Sequence, residues 1–331
     1  MKLSLLLPTH NSAATIERTL SAALAQRHRP LEVVVYDEAS ADDTRAIVRR
    51  LLDGASDKGV DARLLTAEDN SGPVLAWRVA LHDATGDWCT FVWADDVLRH
   101  DFSERMMDAA GRAQSAGRKL VTCSGEVEIG GEVLREQYAS DSGILSPQAF
   151  SAGMFHRRYP LTQICATYET SAAREVFDRH VRFDNPLGFD YNRHPYGNDV
   201  GYLSELAAAG GGTERIGDTL VTLTDSESSM TRVATGSHLW QMRWQYTFNQ
   251  ARVWRTWETQ GVPGADRLRA MGVRRLALCT IMLQRNARDL APRRVARSVG
   301  AYLDFLRFDF QKTRMTLDDF RRRLTANGIP A

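Results

Sequence analysis

The sequence predicts an α/β protein with a mostly parallel central sheet, followed by an all-helical C-terminal extension. Two observations lead to this prediction. Apolar strand patterns alternate with amphipathic helix patterns over the first hundred residues, an order typical of a parallel sheet covered by helices on both faces. From about residue 237 the periodicity is helical throughout. The 331 residues suffice for one large α/β domain and a smaller appendage.

Each predicted element has its own local signal. The strands are short apolar or β-branched runs, and the helices repeat apolar residues three and four positions apart. In the first half, strands are predicted at 3–7, 31–36, 63–66 and 88–93, and helices at 13–25, 44–52 and 74–84. Further along, helices are predicted at 102–116, 172–179 and 200–209, and strands at 119–129, 132–137, 164–168 and 220–223. The loop-rich segments are 140–160 and 185–197, and the second suits a substrate-lining role.

The formal net charge of +1 conceals an asymmetry. Residues 240–331 contain 18 Lys and Arg against 7 Asp and Glu, a balance of 18 − 7 = +11, which leaves 1 − 11 = −10 for residues 1–239. An acidic body with a basic tail indicates an anionic partner for the tail, such as a phospholipid surface or a polyanionic acceptor. The alternative is a solvated helical bundle whose arginines pair locally or with the acidic body.

Other classes of protein fit the sequence poorly. The apolar run 3–7 meets Pro8 too early for a signal-peptide core, so we expect a buried strand there. No stretch approaches the roughly 20 apolar residues of a membrane-spanning helix. The four cysteines are scattered, which indicates reduced, cytoplasmic thiols and neither a disulfide framework nor a zinc site. They are Cys89, Cys123, Cys165 and Cys279.

Polar residues follow three of the four predicted parallel strands. Pro8-Thr9-His10-Asn11 follows the first strand, residues 37–44 follow the second, and Asp95-Asp96 ends the fourth. Ligands of such sheets bind at the carboxyl ends of the strands, so these side chains are expected to lie close together. Adjacent carboxylates repel each other, and a divalent cation shared with substrate phosphates would remove the repulsion. The alternative for the dipeptide is a strand followed by an acidic turn.

Five short motifs, in this order, resemble those of the family-2 glycosyltransferases, inverting enzymes of the GT-A fold that use nucleotide-diphosphate sugars. Residues 5–11 (LLLPTHN) and 36–44 (YDEASADDT) look like the family's first strand and turn and its Asp-Asp-Gly-Ser-x-Asp-x-Thr motif. Residues 70–72 (NSG) and 84–88 (ATGDW) are similar to the segments before its metal motif. Residues 197–203 (GNDVGYL) resemble the Glu-Asp-x-x-Leu helix start that carries its base.

The resemblance implies a role for each matching residue. The nucleotide would be bound by Pro8, Thr9, Asn11, Asp37 and Asp95. Asp95 and Asp96 would also hold a Mn²⁺ or Mg²⁺ ion that bridges the diphosphate and neutralises the leaving group. Asp199 would act as the general base on the acceptor hydroxyl, and a single displacement would invert the anomeric configuration.

Several of these residues have structural alternatives. Asp37 and Asp199 could cap the helices that follow them, because Asp favours helix N-termini. His10 fits a turn or a pocket wall better than a metal ligand. The Arg run at 321–323 fits a solvated face. The aromatic stripe of the extension fits core packing better than a sugar platform, and its members are Trp240, Trp244 and Trp254.

Four departures from the family pattern limit the resemblance. Trp93 replaces the first acid of Asp-x-Asp-Asp, Glu38 replaces an Asp, and Asn198 replaces the Glu before the base. Ser226 stands where the family often has a metal-binding His. Candidates for the missing ligand are Asp225, Glu227 and a water molecule.

The resemblance and the motifs together predict an inverting glycosyltransferase. Residues 1–236 would form a Rossmann-like GT-A catalytic domain, with a nucleotide-binding half at about 1–100 and an acceptor-binding half at about 101–236. Residues 237–331 would form the basic helical extension. We expect a UDP-sugar donor, or a dTDP-sugar as second choice, and a glycan or lipid-linked glycan acceptor in surface polysaccharide biosynthesis. No nucleic acid is expected, and the extension offers a surface for homo-oligomers or for the inner face of the cell membrane.

Two other functions stay open. Trp93, Asn198 and Ser226 are compatible with a non-catalytic, GT-A-like binding or scaffold protein. A nucleotidyltransferase is less favoured, because no Gly-rich basic phosphate loop follows the first strand.

Overall fold

The computed structural model of the protein describes residues 1–136, 138–180, 186–188, 195–224, 236–286 and 292–313. Within these residues a single mixed sheet runs through the molecule, with helices on both of its faces. From one edge to the other its strands are Val60–Thr66, Leu31–Asp37, Leu3–Thr9, Trp88–Phe91, Ala166–Glu169, Leu120–Ile129, Thr213–Thr224 and Val97–Leu98. Two further strands, Glu132–Glu136 and Gly143–Leu145, pair with Leu120–Ile129 and Thr213–Thr224 beside this path.

The first half of the sheet is parallel. Its elements are β1 (Leu3–Thr9), α1 (Ile16–Leu24), β2 (Leu31–Asp37), α2 (Thr44–Leu52), β3 (Val60–Thr66), α3 (Pro73–Asp83) and β4 (Trp88–Phe91), with a short 3₁₀ helix at Ser56–Lys58. All seven residues of β1 are buried, as expected for a central parallel strand covered on both faces. The register places Thr9 beside Asp37 and Asp37 beside Thr66, so three strands end at the same level.

The second half of the sheet contains the antiparallel pairs. Its elements are β5 (Val97–Leu98), α4 (Phe102–Ser115), β6 (Leu120–Ile129), β7 (Glu132–Glu136), β8 (Gly143–Leu145), α5 (Pro147–Phe155), β9 (Ala166–Glu169), α6 (Thr170–His180), α7 (Asn198–Ala209) and β10 (Thr213–Thr224), with a 3₁₀ helix at Gln163–Cys165. Strand β9 runs antiparallel to both β4 and β6, and β10 is parallel to β6. The predicted parallel arrangement therefore holds for β1 to β4, and the whole sheet is mixed.

Three helices form the C-terminal extension. They are α8 (Gly236–Thr259), α9 (Ala265–Arg285) and α10 (Pro292–Thr313). Trp244 and Trp254 are completely buried, and their indole N–H groups donate to Thr280 Oγ1 and Ser151 Oγ. The predicted core role of the aromatic stripe is confirmed for these two residues. Among the helices the structure describes, none is both long and apolar enough to span a membrane.

Candidate active site

The predicted site residues of the first half lie at one edge of the sheet. The Glu38 N–H donates to the Thr9 carbonyl at 2.9 Å, and the Val92 N–H donates to the Leu6 carbonyl at 2.8 Å, so the chain leaves β2 and β4 alongside the end of β1. Asp95 and Asp96 follow in the turn after β4. This edge is formed by the carboxyl ends of the parallel strands, where ligands of α/β sheets bind.

Asp37 and Thr9 each keep a buried polar atom without a partner among the described residues. Asp37 Oδ1 accepts hydrogen bonds from the Ser40 N–H, at 3.1 Å, and from Arg45 Nε, whereas Oδ2 has no partner. Thr9 Oγ1 is likewise buried and unpaired. An unpaired buried polar group costs about 1–3 kcal/mol, and a ligand that hydrogen-bonds to both of these registered neighbours would recover that cost. A carboxylate acceptor beside a hydroxyl suits a nucleobase edge that offers an N–H and a carbonyl.

Asn11 ties the loop after β1 to the loop after β2. Its N–H donates to Ser40 Oγ at 2.8 Å, and its Oδ1 accepts from the Ala41 N–H at 2.8 Å. His10 Nδ1 lies 2.6 Å from the Glu38 carbonyl, which can only accept, so Nδ1 carries the proton. This contact places His10 in the turn after β1, one of the two positions predicted for it. Asn11 shapes this edge of the sheet, and its direct contact with a nucleotide stays a prediction.

Glu38 and Ala39 have unusual positions in the turn after β2. The buried Glu38 carboxylate accepts from the Gly72 N–H at the start of α3, which links the second loop to a third. Ala39 has φ +54°, a left-handed conformation that suits glycine, and the family motif has Gly at this position. The turn therefore adopts a backbone conformation that suits glycine, although alanine occupies this position.

Asp95 and Asp96 form an electrostatically frustrated pair. Asp96 Oδ1 accepts from the Thr224 N–H at 2.8 Å, and its carbonyl accepts from Thr19 Oγ1 at 2.8 Å, so α1 and the end of β10 fix this turn. Burial raises the pKa of Asp95. Burial and the neighbouring charge of Asp95 raise the pKa of Asp96 well above the usual range. A bound cation would relieve both effects.

The carboxylates of Asp95 and Asp96 suit a cation that is also ligated by the diphosphate of a nucleotide. Mg²⁺ and related hard cations bind one or two carboxylates together with substrate phosphates and water. Across the described part of the chain no group of three His, Cys, Asp or Glu side chains could hold a metal by itself. The predicted third-ligand candidates lie outside the described residues, namely Asp225, Ser226 and Glu227.

Asp199 lies in the first turn of α7. The helix begins after Gly197, which adopts φ +75°, and no side chain caps its N-terminus. Instead, Asp199 Oδ1 accepts a hydrogen bond from Gln163 Nε2 at 2.7 Å. Burial raises the pKa of Asp199 to about 7, although the Gln163 hydrogen bond opposes the rise. A carboxylate with this pKa can accept a proton near neutral pH, whereas an ordinary aspartate is a weak base.

The structure adds residues that the motifs did not reveal. The Trp93 ring stacks on Phe91 at 5.8 Å between centroids, and its Nε1–H donates to Thr162 Oγ1 at 2.8 Å. Thr162 precedes Gln163, the partner of Asp199. The turn after β4 is thus connected to the predicted base through these contacts. No local sequence signal marks Thr162 or Gln163, because their importance depends on contacts far apart in the chain.

Comparisons with known proteins agree with the predicted family. The family model described as glycosyl transferase family 2 matches residues 4–179, just over half of the chain. The succinoglycan biosynthesis protein ExoO of Rhizobium meliloti is 34% identical over 207 residues, covering 61% of this chain and 54% of that protein. A GalNAc(5)-diNAcBac-PP-undecaprenol beta-1,3-glucosyltransferase of Campylobacter jejuni is 29% identical over 128 residues, covering 38% and 40%. The chain thus spans only about half or less of these relatives.

A solved structure shares the fold. S. aureus TarS 1–349, in complex with UDP-GlcNAc, aligns with a TM-score of 0.61 and 19% identity over 92% of this chain and 80% of that chain. This likeness confirms the predicted GT-A fold, with its mixed sheet and flanking helices. From the match of the family model over more than half of its length, the chain belongs to glycosyl transferase family 2.

Proposed function

We propose that the protein transfers a sugar, with inversion, from a nucleotide-diphosphate sugar to a hydroxyl of a glycan or lipid-linked glycan. One observation carries the proposal. The turn bearing Asp95 and Asp96 is connected, through the Trp93–Thr162 hydrogen bond and the adjacent Gln163, to Asp199, whose pKa is about 7. This reaction requires two parts. One is an acidic pair that binds the cation of the diphosphate, and the other is a base that removes the proton of the acceptor hydroxyl.

The donor nucleotide is proposed to bind where Thr9 and Asp37 keep unpaired buried atoms. An imide N–H of a pyrimidine base would donate to Asp37 Oδ2, and an adjacent base carbonyl would accept from the Thr9 hydroxyl. Uridine diphosphate is favoured, because the structural neighbour TarS was solved with UDP-GlcNAc, and deoxythymidine diphosphate offers the same base edge.

The carboxylates of Asp95 and Asp96 would hold the Mn²⁺ or Mg²⁺ ion jointly with the diphosphate. Such an ion neutralises negative charge that develops on a departing nucleoside diphosphate. The chain's own contribution is to keep Asp96 oriented through Thr224 and Thr19.

Asp199 would remove the proton from the acceptor hydroxyl as that oxygen attacks the anomeric carbon. In a single displacement the new carbon–oxygen bond forms as the bond to the diphosphate breaks on the opposite face, so configuration inverts. The hydroxyl proton ends on the Asp199 carboxylate, and the bonding electrons leave with the nucleoside diphosphate.

The acceptor is proposed from the relatives and from the charge of the extension. ExoO takes part in succinoglycan biosynthesis, and the C. jejuni relative is named for an undecaprenol-linked acceptor. Helix α9 exposes Leu278 and Ile281 on the same side as Arg274 and Arg285. Apolar residues between arginines suit the surface of an anionic bilayer, where a lipid-linked glycan is found. We therefore propose peripheral binding to the inner face of the cell membrane.

The first experiment is calorimetric binding of uridine, deoxythymidine and guanosine diphosphates, each with and without Mn²⁺. We expect one pyrimidine nucleotide to bind in a Mn²⁺-dependent manner, and Asp96→Ala to abolish that dependence. Asp57→Ala, at an exposed aspartate of the 3₁₀ helix Ser56–Lys58, is the matched control and should bind like the wild type. If the folded wild type binds none of the three nucleotides, the non-catalytic scaffold function is favoured instead.

A further inference from the structure

We propose that Gln163 is the positioning residue of Asp199, and that Trp93 holds Gln163 in place from the donor side of the site. This inference rests on the proposed role of Asp199 as the general base. It assigns a task to two residues that no family motif identifies, one of them the tryptophan that replaces an acid after β4.

The geometry defines a single useful orientation of the Gln163 amide. Gln163 is completely buried, and its Nε2 lies 2.7 Å from Asp199 Oδ1. Its Oε1 accepts a hydrogen bond from the Tyr168 hydroxyl at 3.5 Å. This hydrogen bond is long and therefore weak, but it favours the same orientation of the amide. The opposite amide orientation would place a carbonyl oxygen 2.7 Å from a carboxylate oxygen, where two acceptors repel.

The segment that carries Gln163 is held by two contacts from the end of β4. The Trp93 indole N–H donates to Thr162 Oγ1 at 2.8 Å. The Phe91 N–H donates to the Tyr168 hydroxyl at 3.3 Å, and that hydroxyl faces Gln163. Trp93 is itself held by its stack on the Phe91 ring. Strand β4 and the turn after it therefore fix the position of Gln163, and Gln163 in turn orients Asp199.

The hydrogen bond from Gln163 has an electrostatic consequence for Asp199. Burial disfavours the charged carboxylate, and the amide N–H favours it, so the two influences oppose each other. Within the described residues, the titratable groups that interact with Asp199 are Tyr168 on β9 and Tyr246 on α8, and burial raises the pKa of both phenols. Both are neutral at pH 7, and no charged group of the described residues contributes to the shift of Asp199. Burial thus makes Asp199 basic, and the hydrogen bond from Gln163 keeps its carboxyl group ionisable.

The decisive measurement is the pKa of Asp199 itself. In protein labelled with ¹³C at the Asp carboxyl carbons, the Asp199 resonance is assigned by its loss in Asp199→Asn and then titrated. We expect Gln163→Leu to raise this pKa by about one to two units, because hydrogen bonds to charged groups are among the stronger ones. Trp93→Phe keeps the ring and removes the N–H, and it should raise the pKa by a smaller amount.

A matched control separates positioning from general damage to the core. Gln26 is equally buried, donates to the Arg99 and Ala22 carbonyls and accepts from the Ser103 N–H, far from α7 in the sequence. Gln26→Leu should lower stability and leave the pKa of Asp199 unchanged. An unchanged pKa in Gln163→Leu as well would overturn the proposal.

An activity readout links the inference to the reaction. Release of UDP from UDP-GlcNAc, with water as acceptor, can be followed across pH without knowledge of the natural acceptor. In Gln163→Leu the acidic limb of the kcat/KM profile should move to higher pH, with roughly tenfold or greater loss at pH 6.5 and a smaller loss at pH 9. A uniform loss at all pH values would indicate a purely structural role. If Asp199→Asn keeps full activity, the proposed base is wrong, whatever the Gln163 variants do.

Discussion

At the scale of single residues, the site contains polar atoms and carboxylates whose buried surroundings are energetically unfavourable for them. Asp37 and Thr9 keep unpaired polar atoms in a buried setting. Asp95 and Asp96 place two carboxylates side by side, and Asp199 is a carboxylate whose burial opposes its charge. Each conflict lowers the stability of the unliganded protein, and each would be relieved by a ligand, a cation or a proton.

Asp199→Asn should separate catalysis from stability. Because the pKa of Asp199 is about 7 in the folded protein, against an ordinary value of 3.8, the folded state keeps a proton that the unfolded state has released between these pH values. Stability therefore falls as pH rises through this window. Asparagine lacks this dependence, so the variant should be about 3–4 kcal/mol more stable than wild type at pH 8 and nearly equal to it near pH 4.

The same variant should bind the donor normally and lose roughly 10²- to 10⁴-fold in turnover, the usual contribution of a general base. Chemical denaturation at pH 4 and pH 8, together with UDP release from UDP-GlcNAc, checks both parts. Equal stability differences at the two pH values would contradict the raised pKa.

Ala39→Gly should stabilise the protein. Ala39 has φ +54°, where a side chain with a Cβ is strained by about 1–2 kcal/mol. Part of this gain is offset by the greater freedom of glycine in the unfolded chain, so we expect a net gain of about 0.5–1 kcal/mol by thermal denaturation. Ala41→Gly, two residues further on and outside the left-handed region, should instead lower the melting temperature.

At the scale of elements, the two ends of the parallel strands have different tasks. The carboxyl ends carry the unpaired and frustrated groups, and the amino ends carry a fully satisfied buried carboxylate. Glu32, near the start of β2, accepts from Ser4 Oγ, from the Thr85 N–H and hydroxyl, and from Lys2 and Arg63. This network joins β1, β2 and the loop before β4 at the edge opposite the site.

Glu32→Gln should weaken the fold and remove part of its acid sensitivity. Although burial opposes its charge, the hydrogen bonds and Arg63 lower the pKa of Glu32 to about 2. Its stabilising effect is present above the unfolded pKa of about 4.5 and is lost as pH falls toward 2. We expect the variant to lose about 2–3 kcal/mol at pH 7 and little at pH 2. Denaturant titrations at several pH values measure this, and a constant difference from pH 7 to pH 2 would disprove it.

At the scale of the whole molecule, the C-terminal helices pack on the domain that holds the sheet, and α9 leaves an apolar and basic side uncovered among the described residues. Leu278 and Ile281 on α9 are 56% and 48% exposed, and Arg274 and Arg285 lie on the same side of the helix. We propose that this surface, and not the buried tryptophans, meets an anionic bilayer.

Leu278→Asp combined with Ile281→Asp should reduce binding to phosphatidylserine-containing vesicles severalfold in a co-sedimentation assay. The apolar contact is lost, and the new charges repel the anionic surface. Val133→Asp, at an exposed apolar residue of β7, is the matched control and should sediment like wild type. Equal sedimentation of all three proteins, or none with anionic vesicles, would refute membrane binding through α9.

The strand ends, the acidic pair after β4 and the helix start at Asp199 were predictable because their signals are local. A strand pattern, a motif and its spacing occupy a few consecutive residues, and parallel topology brings the strand ends to one edge. The order of those motifs predicted the family, and the match of the family model over residues 4–179 confirmed that prediction. Roles at the level of single side chains stay predictions that the variants above will test.

The contacts that orient the site came only from the tertiary structure. Gln163 and Asp199 are 36 residues apart, and Trp93 and Thr162 are 69 residues apart, so no local pattern links them. The antiparallel direction of β9 could not be predicted from the sequence, because strand pairing depends on distant partners. The full length of β10 could not be predicted either, because this strand changes register near Thr219. Local chemistry selects which residues can react, whereas long-range packing decides which neighbours set their charge and orientation.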